Sequence, residues 1–125
     1  MNYIKNEYSE LFIQDGVLFF KYLPFENFDL AAAEKIVAAR LSLQREIAFP
    51  VLCDVRQIGK PNLSARRFLA VQGSVLAKAV AYVANSYSKE KLADFFITVD
   101  QPTAPTAVFS TQEAALQFLK PYVSE

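Results

Sequence analysis

Hydrophobic residues at the start of the chain recur with a period of two. Residues 8–14 and 17–23 are runs rich in Phe, Ile, Leu and Tyr, separated by Asp15-Gly16. That pair favours the positive φ angles of a type I′ turn, whose twist matches paired strands, so the spacing predicts a β-hairpin. Leu11 and Ile13 are expected on one face, with Glu10, Phe12 and Gln14 on the other. Pro24 ends the second strand.

From Asp29 the period lengthens to that of a helix. Residues 29–48 contain no Gly or Pro, and Asp29 is placed to cap the first turn. Leu30, Ala33, Ile36, Val37, Leu41, Leu43 and Ile47 fall on one broad arc, interrupted by Arg40 and Gln44. Arg40 is expected to lay its stem along the core with its charge at the rim. Its alternatives are a partner surface or an ion pair with an acid such as Asp54.

Residues 50–55 (PVLCDV) read as a buried strand, followed by a polar loop and a helix opening at Ser64, whose hydroxyl is expected to serve as N-cap, and closed by a left-handed Gly73. Residues 78–84 form another short apolar run. Leu92, Phe95, Phe96 and Val99 then have helical spacing, broken by residues 101–105 (QPTAP). Residues 106–109 read as a last strand, and Ser110 with Glu113 as a capping box for a final helix. The order β-β-α-β-α-β-α-β-α argues for an α/β domain spanning residues 1–125. It implies a five-stranded mixed, mostly parallel sheet with four helices.

Composition narrows the function. With 53% apolar and 14% aromatic residues a packed core is expected. Thirteen basic residues balance thirteen acidic ones, which leaves no global field to draw in nucleic acid or an anionic membrane. Histidine is absent, which removes the usual general base near neutral pH and the commonest metal ligand. Three glycines cannot assemble a phosphate-cradling loop or a dinucleotide fingerprint. No catalytic residues, metal site or cofactor are therefore expected, and the chain reads as a non-enzyme. The single Cys53, inside an apolar run, is expected to be core filler. With no leader pattern and no membrane-length apolar stretch, a cytoplasmic location without membrane insertion is expected.

The strand-loop-serine-helix unit at residues 50–72, together with VANSYSKEKLADFF and PTAVFSTQEAALQFL, resembles the SpoIIAA-like superfamily. That group includes anti-sigma factor antagonists, STAS domains and SEC14-type lipid carriers, and the two quoted phrases look closest to small uncharacterised bacterial members. The resemblance implies a right-handed β-α superhelix. It also implies a serine at the start of a helix that a partner kinase phosphorylates, within an Asp-Ser-Ser-Gly type motif. Ser64 matches that serine, while Asn62, Leu63 and Ala65 depart from the motif, which bears on phosphorylation and leaves the fold expectation untouched.

The resulting site candidates are Ser64, Arg56, Lys60 and Arg67, a basic neighbourhood for a phosphate or other anion at a helix N-terminus. Arg40 and Arg66 are partner-surface candidates. The expected role is a regulatory or protein-interaction module, with a kinase or anti-sigma type regulator as partner and a homodimer as one assembly. The alternative is a carrier or sensor of a small apolar or lipid-like ligand.

Overall fold

Strand pairing begins earlier than the alternation predicts. The computed structural model describes residues 2–124, and its first strand, β1 (Tyr3–Lys5), pairs antiparallel with β2 (Ser9–Gln14). This makes six strands where five were expected. A strand of three residues is too short for a period of two to stand out. Its turn is fixed by Asn6, whose Oδ1 accepts from the amides of Tyr8 (2.9 Å) and Ser9 (3.0 Å).

The predicted hairpin follows, β2 with β3 (Val17–Tyr22), turned by Asp15 at φ 53° and Gly16 at φ 77°. Both central residues are left-handed, as a type I′ turn requires. The sheet then continues in chain order through β4 (Phe49–Asp54), β5 (Ala77–Val83) and β6 (Thr106–Phe109). These three add as parallel strands.

Alternation along the strands sends two sets of side chains to two layers. Leu18, Phe20, Tyr22, Val51, Cys53 and Val80 enter the larger core beneath α1 (Leu30–Gln44) and α2 (Leu63–Val71), against which Leu92 of α3 (Tyr87–Phe95) also packs. Val17, Leu52, Ala79, Ala81 and Val83 enter a smaller core with Ala115 and Leu119 of α4 (Gln112–Leu119). Cys53 is buried as expected. No helix among the described residues is long and apolar enough to cross a membrane.

Asp29 caps α1 through a 3.0 Å bond to the Ala32 amide, but the helix stops at Gln44 rather than running to residue 48. Arg45 (φ 50°) and Glu46 (φ 64°) are both left-handed, so Ile47 leaves the helical arc and is 58% exposed. Leu30, in the first turn, is also exposed, whereas Ala33, Ile36, Val37 and Leu43 are buried as predicted. Three helix ends differ in detail. Asn62, not Ser64, caps α2, accepting from the Ala65 amide at 2.9 Å. Thr111, one residue past Ser110, caps α4. Helix α2 runs on into a 3-10 turn (Gln72–Ser74), and the left-handed position belongs to Leu76 (φ 58°) instead of Gly73. Helix α3 widens at its end into a π-helical turn, Phe96–Asp100.

The two glycines just compared respond oppositely to a methyl group. At Gly16 an added Cβ would sit 2.7 Å from Val123 Cγ1 on a left-handed backbone, while at Gly73 it would meet only Leu69 atoms at 3.7 Å. Gly16→Ala should lower unfolding free energy by about 1 kcal/mol or more. Gly73→Ala should leave it unchanged or raise it by up to ~1 kcal/mol. Urea unfolding of the two variants measures this, and equal losses would contradict the turn geometry.

Candidate functional site

The basic neighbourhood predicted around Ser64 forms only in part. Ser64 lies exposed in the first turn of α2, its hydroxyl not needed for capping because Asn62 supplies that bond. Lys60 and Arg67 are exposed beside it in sequence. Arg56 is committed elsewhere, binding Asp54 through Nε (2.9 Å to Oδ1) and Nη2 (2.7 Å to Oδ2). Burial pushes the Asp54 carboxyl up, but the bonds from Arg56 outweigh it and hold the pKa below the usual carboxylate range.

Arg66, expected on a partner surface, turns inward. Its Nε donates to Asp100 Oδ2 at 3.0 Å, and its guanidinium carbon lies 5.2 Å from the Phe95 ring centroid. The pair ties α2 to the π-helical turn, with the Asp100 side chain only 5% exposed. Arg67, one residue on, points to solvent.

Arg40 departs from all three readings made for it. Its side chain is neither at the rim nor on an outer face, being 5% exposed, and it has no ion pair with Asp54, which points to the opposite side of the sheet from Cys53. The guanidinium donates to Gln44 Oε1 and, at 3.1 Å, to the Gly73 carbonyl. Gln44, 1% exposed, passes the network on by donating to the carbonyls of Ile47 and Leu76, both at 2.9 Å. No carboxylate lies within ion-pairing distance of Arg40 among the described residues. The titratable groups that face it are Tyr22, Cys53 and Tyr82.

Those groups are neutral at physiological pH. Burial raises the pKa of Tyr22, Cys53 and Tyr82 above their ordinary values, and burial lowers that of Arg40. An arginine remains protonated after such a shift. The large core therefore contains one positive charge and no negative one facing it.

Arg40 lines a half-open inner cavity of about 60 Å³, walled by Phe20, Tyr22, Cys53, Val80 and Tyr82 among others. A second, outer cavity of about 40 Å³ is bounded by Val55, Ile58, Pro61, Leu92 and Ala93. Tyr22, Leu69, Tyr82 and Phe96 line both, so the two lie back to back. Two cations rim the outer cavity, and both are held by protein groups: Arg66 by Asp100, Lys89 by the Ile58 carbonyl. Sequence reading missed this site. The signal was present as two polar residues four apart on an otherwise apolar arc, with aromatic residues on the facing strands.

A separate polar cleft of about 160 Å³ opens at the ends of β4 and β5, lined by Asp54, Arg56, Asn85, Ser110, Thr111 and others. Its charged groups already satisfy each other, and it lies across the sheet from the two cavities.

A family model described as "Domain of unknown function (DUF7793)" matches residues 11–123. The chain is also similar to the crystal structure of an uncharacterised DUF3478-family protein with a SpoIIAA-like fold from Shewanella loihica PV-4. Sequence identity is 16% and the TM-score 0.59, over 89% of this chain and 91% of that one. At that identity the likeness establishes the fold, SpoIIAA-like as the sequence phrases implied. No curated protein matches the chain.

The adjacent arginines of α2 should separate in stability measurements. Arg66→Ala strands a buried carboxylate at Asp100 and should cost about 1–3 kcal/mol. Arg67→Ala should stay within ~0.5 kcal/mol of the parent. Thermal and urea unfolding check the difference, and equal effects would contradict the pairing.

Proposed function

The chain belongs to the DUF7793 family, whose description names no activity, and on the geometry above we propose a non-enzymatic sensor or carrier module. In this reading a small ligand enters the space between α1, α2, the π-helical turn and the sheet. The observation that carries it is the pair of back-to-back cavities in the layer that holds the larger core. Small-ligand sites are concave and mostly apolar with a few polar groups, and two adjoining half-open cavities that share four walls, one of them reached by a buried guanidinium, have that character. A non-enzymatic role is supported by the lack of histidine and by the engagement of Asp54 and Asp100 in ion pairs. The cavities are far too small for a long acyl chain, which sets this reading apart from transport of whole lipids.

Saturation-transfer NMR with a set of small organic fragments tests the reading. Fragments should bind the parent protein, shift signals of Tyr82, Leu92 and Phe96, and lose binding in Leu69→Phe, which enlarges a wall common to both cavities. Failure of every fragment to shift those signals would remove the proposal.

A second reading, regulation through a protein partner, is favoured by the exposed Ser64 hydroxyl in the first turn of a nine-residue helix. A phosphate there would meet the positive end of the helix dipole with Lys60 and Arg67 nearby in sequence. A kinase or anti-sigma type regulator is the partner this reading expects, and pairing of two copies along the β1 or β6 edge is compatible with it. Phosphosite mapping from the native cell and comparison of partners bound by the parent and by Ser64→Asp test it. An unmodified Ser64 with an identical partner set in both forms would end this reading.

A further inference from the structure

Among the described residues no fully buried side-chain nitrogen or oxygen lacks a hydrogen-bond partner, yet the cation at the inner cavity has no carboxylate paired with it. A guanidinium presents five N–H groups, of which the recorded bonds from Arg40 to Gln44 Oε1 and the Gly73 carbonyl use two. Both acceptors are neutral. An ion withdrawn from water and left without a counter-charge is costly even after the protein relaxes. Folds usually meet that cost with a carboxylate, as this one does for the half-buried Arg66. For Arg40, the most buried arginine of the chain, they do not.

We propose that Arg40 anchors an internal anion site whose ligand is a short-chain monocarboxylate. This rests on the cavity reading given above and specifies its ligand. Charge sets the valence: one buried cation faces the inner cavity, while at the outer one Arg66 is paired with Asp100, and Lys89, bonded only to the neutral Ile58 carbonyl, is half-buried and keeps contact with water. A monoanion balances that charge, whereas a phosphate dianion would leave an excess negative charge in a core of Phe, Val and Tyr side chains.

Shape sets the rest. A planar carboxylate accepts two parallel bonds from a guanidinium, the geometry for which arginine is suited. Its alkyl part lies against Phe20, Val51 and Val80 and against the wall of Tyr22, Leu69, Tyr82 and Phe96 that divides this cavity from the outer one. The inner cavity, about 60 Å³ against the ~150 Å³ that admits benzene, holds a carboxylate and its first carbons, and because it is half-open the end of a chain such as butyrate stays in its mouth. Tyr22 and Tyr82 line the cavity as neutral side chains, because burial raises their pKa, and add no charge to it.

Titration of the parent protein with butyrate, butyramide and inorganic phosphate decides the matter, followed by NMR and thermal unfolding. Butyrate should bind about 10- to 100-fold more tightly than the amide, the range expected when a charge-assisted hydrogen bond is lost. It should also raise the unfolding temperature and shift the Arg40 Nε–H signal together with those of Tyr82 and Phe96. Arg40→Met should abolish the preference for acid over amide, while Lys89→Met should retain it. If Arg40→Met does not fold, the Arg40 Nε–H shift in the parent protein decides alone.

Equal binding of acid and amide would overturn the anion site and leave the cavity reading standing. Binding of phosphate without butyrate would overturn the carboxylate assignment. Absence of any shift at Tyr82 and Phe96 with both organic probes would remove the anion site and the cavity reading together.

Discussion

The fold depends on a polar clasp inside its larger core. Arg40 and Gln44 sit four residues apart on the buried face of α1 and reach the Gly73 and Leu76 carbonyls, on the connection between α2 and β5. That connection is otherwise awkward. Leu76 adopts φ 58°, a conformation that costs a residue with a side chain roughly 1–2 kcal/mol. Two bonds converge on its carbonyl, from Gln44 Nε2 at 2.9 Å and from the Phe49 amide at 3.1 Å. The clasp thus ties the end of α1, the start of β4 and the entry to β5 to one another, and the pairing of β4 with β5 shifts register just beyond it, between Phe49 and Val51.

The sheet separates two kinds of chemistry by parity alone. Along β4, Val51 and Cys53 join the core beneath α1 and α2, while Leu52 joins the core beneath α4 and Asp54 opens on the polar cleft. Asp54 therefore meets Arg56 at the strand end and cannot reach Arg40, although the two are closely placed in the chain order of elements. A shift of one residue in β4 would exchange these partners. The charge facing the inner cavity is thus a consequence of strand register as much as of residue identity.

Much of this was legible in the sequence, and the reasons for the misses are physical. Strong local signals carried through: Asp15-Gly16 for the hairpin turn, Asp29 for the first cap, and the unbroken apolar runs for β4 and β5. The three-residue β1 was too short for any periodicity. Caps slipped by one or two residues because Asn62 and Ser64, like Ser110 and Thr111, are all competent acceptors, and tertiary context chooses between them. For Arg40 the sequence revealed the anomaly but not its meaning. A long cation at the edge of an apolar arc usually extends to water. Here the acceptors that keep it inside, Gln44 and the Gly73 carbonyl, come from the next helical turn and from 33 residues down the chain.

Stability and recognition are entangled at this residue, and their physics separates them. Truncating Arg40 would remove a buried charge but would also strand Gln44 Oε1 and the Gly73 carbonyl, so the fold would be expected to suffer whether or not a ligand exists. The clasp alone accounts for a polar group at this position, yet it does not account for a charged one. A neutral donor of similar reach could satisfy the same two acceptors without the cost of burying an ion. What distinguishes the guanidinium is its remaining donors and its charge, and only a group carrying the opposite charge makes use of both. The meaningful comparison at this site is therefore between ligands that differ by one charge in an unaltered protein, because there the clasp is constant and cancels.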